Sequence, residues 1–256
     1  MRAFTCAVSL LAAFILYPLW PSLSALLADS LRALHARVLA RFTVKDGAQQ
    51  ERPALCVFLL LLAGAAAIPG AFHPLLGALA AAPAYCGLAS LPGCVRAKAE
   101  LDSGAYARDH AGYEALVRKT CADLAPAFSA DVFVPLLLVA LGTPLYLGAS
   151  MGWCCLALRA LCDTSGDARR LCALALRPAD AVFRFLLSLL SGLLGRNPLL
   201  VRGRRSRERL MYILGIAGEH DDTHAPMAGD ITQAVFLCCF SAVLFAVVLT
   251  LVLAVL

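Results

Sequence analysis

Apolar residues fall into five blocks along this chain. Residues 3–27 form the first, interrupted by Pro18 and Pro21. Residues 54–68 and 74–91 form the second and third. They are joined by the link PGAFHP, so short that the two blocks must run antiparallel, with His73 as an interfacial turn residue. Residues 131–158 form the fourth, broken by Pro135, Gly142, Pro144 and Gly148, and residues 231–256 form the fifth, which carries no charge. A helix crosses the bilayer with about 20 apolar residues. The five blocks therefore predict spans, the short second one extended through the interface by residues 69–72.

The polar segments have patterns of their own. Between residues 29 and 42, Leu31, Leu34, Val38 and Leu39 recur at helical spacing against Arg32, Arg37 and Arg41, as in an amphipathic helix on the interface. Residues 43–53 read as a polar loop. Residues 94–125 predict a cytoplasmic helical hairpin that turns at Asp102-Ser103-Gly104. Residues 179–195 predict an amphipathic, partly embedded helix with Pro178 at its start. On it Asp180 and Arg184 stand one turn apart, either pairing to lower their burial cost or contacting a ligand. The expected fold is all-α: one polytopic transmembrane helical bundle with a re-entrant or broken-helix segment and a cytoplasmic hairpin.

Charge sets the orientation. Loops 28–53 and 92–130 each hold five basic residues and the 69–73 turn holds none, which places both loops in the cytoplasm and the N-terminus outside. A single crossing by residues 131–158 would strand Arg159, Arg169, Arg170 and Arg177 outside. A re-entrant pair of half-helices keeps them inside and is the preferred reading; broken backbone at that depth must then be buried in protein or line a cavity.

Composition agrees. Hydrophobic residues are 61% of the chain and charged residues 15%, against about 25% charged in an average soluble domain. A soluble fold of this size could not hide so much apolar surface. The net charge of +5 fits cytoplasmic loops. No nucleic-acid-binding motif accompanies it, so nucleic acid is not an expected partner.

The chemistry-bearing motifs are sparse. Eleven cysteines include no CxxC spacing, which argues against zinc or iron–sulfur ligation; their odd number and scatter argue against a disulfide framework. Those in apolar runs behave as small hydrophobes. In EHDDTH, His220 and His224 stand four apart beside Glu219, Asp221 and Asp222, but Pro226 and Gly229 mark a solvated loop. Ser9, Ser188 and Ser191 have no nucleophile motif around them, and no glycine-rich phosphate loop occurs. Arg196, Arg202, Arg204, Arg205, Arg207 and Arg209 form a basic cluster, read as a headgroup and stop-transfer patch. The alternative is a phosphate-binding surface for a nucleotide.

The stretch LASLPGCVRAKAELDSGAYARDHAGYEALVRKT resembles a helical hairpin of the CbiB/CobD cobalamin-biosynthesis membrane family. The matching positions are Leu88, Leu91, Val95, Leu101, Gly104, Ala107, Arg108, Arg118 and Thr120. Val132, Pro135, Leu136, Leu141, Gly142 and Pro144 follow that family's Val-x-Pro-Leu frame and Gly-rich segment, and the likeness covers residues 85–195. The family's polar set is missing: residues 125–130 read APAFSA where a carboxylate and an amide should stand. Residues 151–156 read MGWCCL in place of a polar Asn and Asp, the N-terminal His-Pro element is absent, and Asp131 is the acid left at the entrance. Magnesium wants carboxylates plus substrate phosphates.

The chain is more similar to a sister group, the inner-membrane AmpE type associated with β-lactamase regulation. Met1–Thr5, the basic amphipathic helix, the two close spans and the C-terminal span carry that likeness. It implies a non-catalytic regulatory or sensory protein of the bacterial inner membrane, with no catalytic residue, no metal ligand and no cofactor. Arg108, Arg118, Thr120 and Asp131 are the candidate ligand-contacting residues. The implied partners are the lipid bilayer, another membrane protein and a small-molecule ligand. Two alternatives stand beside this reading. One is an adenosylcobinamide-phosphate synthase using ATP and magnesium; the other is a scaffold that binds a membrane protein through its Ala/Gly-rich faces. Catalysis predicts clustered acids around one cavity with Asp131, a sensor predicts a cavity lined by arginines, and a scaffold predicts no cavity.

Overall fold

The computed structural model describes residues 4–42, 50–143, 147–194, 205–217 and 223–255. They form α1 (Thr5–Ile15), α2 (Trp20–Ala40), α3 (Glu51–Phe72), α4 (Pro74–Ala81), α5 (Ser90–Asp102), α6 (His110–Phe128), α7 (Val134–Gly142), α8 (Gly148–Leu161), α9 (Gly166–Leu193), α10 (Ser206–Leu214) and α11 (Ala228–Val255). Short 3₁₀ turns at Tyr17–Leu19 and Ala82–Ala89 and a π-helical turn at Ser129–Phe133 connect some of them. No strand occurs among the described residues, and the all-α expectation holds.

Among the described residues, three helices are long and apolar enough to cross a membrane: Glu51–Phe72, the continuous rod His110–Gly142, and Ala228–Val255. The pair Pro74–Tyr85 and Ser90–Asp102, bent by 49°, makes a fourth if it counts as one span. Leu60, Leu61, Ile68 and Phe72 on α3, and Phe236, Leu251 and Val255 on α11, are exposed. Large apolar side chains are left uncovered in this way when lipid covers them.

Several expected boundaries move. Residues 3–27 are not one helix: Pro18 lacks the N–H that would continue α1, and the chain restarts as α2, which absorbs the predicted amphipathic segment 29–42. The predicted hairpin 94–125 does turn where Asp102-Ser103-Gly104 stands, with Gly104 at φ +78°. Its second limb does not stop at 125, however, but continues through α7. Pro178 does not begin a helix. Ser165 caps α9 by accepting from Ala168 N at 3.1 Å, and Pro178 is carried inside a 28-residue helix.

The fourth apolar block folds back on itself. α7 ends at Gly142 and α8 starts at Gly148, packed against it. Gly148 and Gly152 both lie against Val139, and a Cβ on Gly142 would come within 2.6 Å of the Leu147 carbonyl oxygen. α8 also runs antiparallel to α3. Ser150 Oγ donates to the Ala63 carbonyl (2.7 Å) and Cys154 Sγ to that of Leu59 (3.7 Å). Beyond α8, Arg52 pairs with Asp167 at 3.2 Å, and Arg32 Nε donates to the Ala160 carbonyl at 3.0 Å. The start of α9, with its arginines, therefore shares an end of the bundle with Arg52 and the end of α2. The fold-back is not built from the expected two half-helices: its first limb is the end of the 33-residue rod.

The core gathers around the π-turn. Phe133 packs on Phe183 of α9 (centroids 4.7 Å apart) and stacks on Phe245 of α11 (5.4 Å). Tyr85 is fully buried, its hydroxyl 3.2 Å from Ser9 Oγ. Trp153 Nε1 donates to the Ala80 carbonyl at 2.8 Å and locks α8 to α4. These contacts fix where α7, α8 and α9 meet.

Candidate functional site

The site begins with a proline. Within a helix, Pro135 would press its ring against the carbonyl four residues back, that of Asp131. The rod relieves this by widening: Val134 N–H reaches Ser129 O across a π-turn. Such single π-turns recur at functional sites. Here the turn contains Asp131, and the Asp131 side chain, 8% exposed, is ion-paired to Arg159 at the end of α8. The Arg159 side chain is 45% exposed, so the carboxylate is covered while the guanidinium reaches open space.

That space is a cavity of about 450 Å³ between the π-turn, α7, α8 and α9. Its wall is mostly apolar, with Ala130, Val134, Leu138, Leu158, Ala175 and Leu176 as examples. Its polar groups are Arg159, Asp163 and Arg169, with the thiols of Cys155, Cys162 and Cys172 between them. Arg169 Nε donates to the Cys162 carbonyl at 3.0 Å, which ties the first turn of α9 to the end of α8. Burial pushes the Cys172 thiol up, and the Cys162 side chain is close enough to help raise it. An apolar chamber with a few convergent polar groups is the usual form of a small-molecule site.

A polar network lies on the neighbouring face of the same turn. Ser129 Oγ donates to Asp180 Oδ1 at 3.3 Å, and Asp180 pairs with Arg184 at 3.0 Å, as their spacing predicted. Arg209 of α10 turns inward and donates to the Arg184 carbonyl (2.8 Å) and to Ser188 Oγ. Burial and the charge of Arg184 push the Arg209 guanidinium below its ordinary value, and Asp180 opposes the shift. Arg209 thus leaves the predicted surface patch. Arg196, Arg202 and Arg204 lie outside the described residues, as do Glu219, His220, Asp221 and Asp222. His224 pairs with Asp230 at 3.0 Å, and Asp230 also accepts from Met227 N at 2.8 Å, which organises the start of α11.

None of the four candidate residues lines the cavity; Asp131 reaches it only through its partner Arg159, which does. Thr120 Oγ1 donates to its own helix at Leu116 O (2.8 Å). Arg118 donates to the Ile216 carbonyl at 2.7 Å, beyond the end of α10. Arg108 is exposed in the α5–α6 turn. Along the rod, Thr120 stands about 16 Å from Asp131 at 1.5 Å per residue, so one small ligand does not bridge them. Sequence reading used Arg159 and Arg169 only for topology. The signal that places them at one site is Ser165-Gly166-Asp167, a helix-start signature that makes residues 162–165 a tight turn. Cys162 and Cys172 carried no signal, because ten residues separate them and the turn brings them together.

No family model, no curated protein and no solved structure matches this chain.

Proposed function

We propose that this chain is a non-catalytic, multi-pass inner-membrane protein of the AmpE/CbiB-like kind with a sensory or regulatory role. We further propose that the α7–α8–α9 cavity takes up a small amphipathic molecule. The ligand's apolar part lies along Leu138, Ala175 and Leu176, and its polar head meets the mixed charges of Arg159, Asp163 and Arg169.

The observation that carries this reading is the pairing of Asp131 with Arg159. A magnesium–nucleotide site needs carboxylates free to face the metal. Here the buried acid is matched to a guanidinium, and Asp163 is the acid on the cavity wall. Among the described residues, no group of three His, Cys, Asp or Glu side chains is placed to hold a metal ion. This donor set does not fit a magnesium-dependent synthase.

The test is an activity assay. Purified protein is incubated with adenosylcobyric acid, aminopropanol phosphate, ATP and magnesium, with an active family enzyme run alongside. The expected result is no amide product. Product formation that Asp131→Ala abolishes would overturn the non-catalytic reading.

A further inference from the structure

We propose that Cys162 and Cys172 form a reversible dithiol–disulfide site in the cavity wall, oxidised by a low-molecular-weight disulfide. The geometry carries it. Cys162 is the C-cap residue of α8 and Cys172 lies in the second turn of α9. The two helices are joined by a tight turn, with Ser165 N donating to Leu161 O at 2.8 Å and Arg169 holding the Cys162 carbonyl. Both cysteines are free, both are partly exposed, both line the cavity, and the Cys162 side chain is close enough to act on the Cys172 thiol. Of the cysteines in the membrane-crossing helices, Cys121 and Cys238 are fully buried; the cavity gives Cys162 and Cys172 access to a small solute.

Either sulfur can begin the exchange, because both line the cavity. The thiolate of one cysteine attacks one sulfur of the small disulfide, a mixed disulfide forms, and one small thiolate leaves. The other cysteine then gives its proton to water and attacks the modified Sγ, and the second small thiolate leaves. The protein's two thiols become one disulfide while the small disulfide is reduced to two thiols.

The experiment uses the full chain in detergent, reduced and then exposed to oxidised glutathione. Trypsin cuts after Arg159, Arg169, Arg170 and Arg184 but not between Arg177 and Pro178, so Cys162 and Cys172 fall on separate peptides, 160–169 and 171–184. Mass spectrometry should find these two peptides disulfide-linked, and dithiothreitol should release them. Cys172→Ser should trap glutathione on Cys162, because the resolving thiol is gone. Cys162→Ser should likewise trap glutathione on Cys172, and Cys154→Ser should leave the link intact. Stable glutathione adducts on both cysteines of the unsubstituted protein, without the linked pair, would overturn the proposal. So would a failure of the two cysteines to react at all.

Discussion

The Arg159 guanidinium at the end of α8 is ion-paired to the Asp131 carboxylate buried in the π-turn, so one contact closes the fold-back and shapes the cavity. Breaking such a pair from one side leaves an uncompensated charge, whereas removing both charges is often nearly neutral. Arg159→Met should therefore lower stability by about 2–4 kcal/mol. The Asp131→Asn, Arg159→Met double variant should recover most of that loss. Unfolding of the purified protein in detergent, measured as a double-mutant cycle, checks this. Losses that simply add would show that the two groups do not interact.

The end of α7 admits no side chain at Gly142. A Cβ at Gly142 meets the backbone carbonyl of Leu147 at 2.6 Å, while at Gly64 in α3 it meets nothing within 4 Å. Gly142→Ala should destabilise by about 1–3 kcal/mol, the usual cost of overpacking. Gly64→Ala should be neutral or stabilise by about 0.5–1 kcal/mol, because it removes a flexible residue from a helix interior. Parallel thermal scans of the two variants would separate the effects.

Ser165 is buried, and its hydroxyl accepts from Ala168 N at 3.1 Å to start α9. Ser165→Ala should cost about 1 kcal/mol. Amide exchange should rise first at residues 166–169, whose N–H groups face the cap, and should leave α11 unchanged.

His35 gives the chain a pH response. It packs edge-on against Phe58 at 5.3 Å, and its Nε2 is buried with no hydrogen-bond partner among the described residues. Burial lowers its affinity for a proton, and the negative charge of Glu51 only partly restores it. The unfolded chain then binds this proton more readily than the folded one. Stability is complete above the unfolded value of about 6.5 and falls as pH drops through it. Unfolding midpoints between pH 8 and pH 5 should decline, and His35→Gln should flatten that decline. An unchanged slope would contradict this account of His35.

Much of the fold could be read from the residues because bilayer and helix impose strong periodicities. The α-only class, the turn at Gly104 and the Asp180–Arg184 pair all follow from local pattern. The prolines were harder. Pro18 does break a helix, but Pro135 is absorbed by a π-turn and Pro178 by a long helix. Packing on either side decides between these outcomes, and a proline in a sequence does not announce which packing it meets. The site was less legible than the fold. Asp131 stood out as a charge in an apolar run. Its partner Arg159 is 28 residues away, and only the doubling back of α7 on α8 brings them together. Family resemblance suggested Arg118 and Thr120 as ligand contacts, yet each donates to a backbone carbonyl.

The central claim is that the cavity between α7, α8 and α9 holds an amphipathic molecule. The most direct measurement is native mass spectrometry of the purified protein titrated with lysophosphatidylcholine, comparing the unsubstituted chain with Ala175→Trp. Ala175 lies on the cavity wall in α9, and an indole there fills the chamber from that side. The account predicts one retained lipid on the unsubstituted protein and at least about a tenfold loss of retention in the variant, a difference of about 1.4 kcal/mol. Equal retention by the two proteins, or none by either, would contradict it.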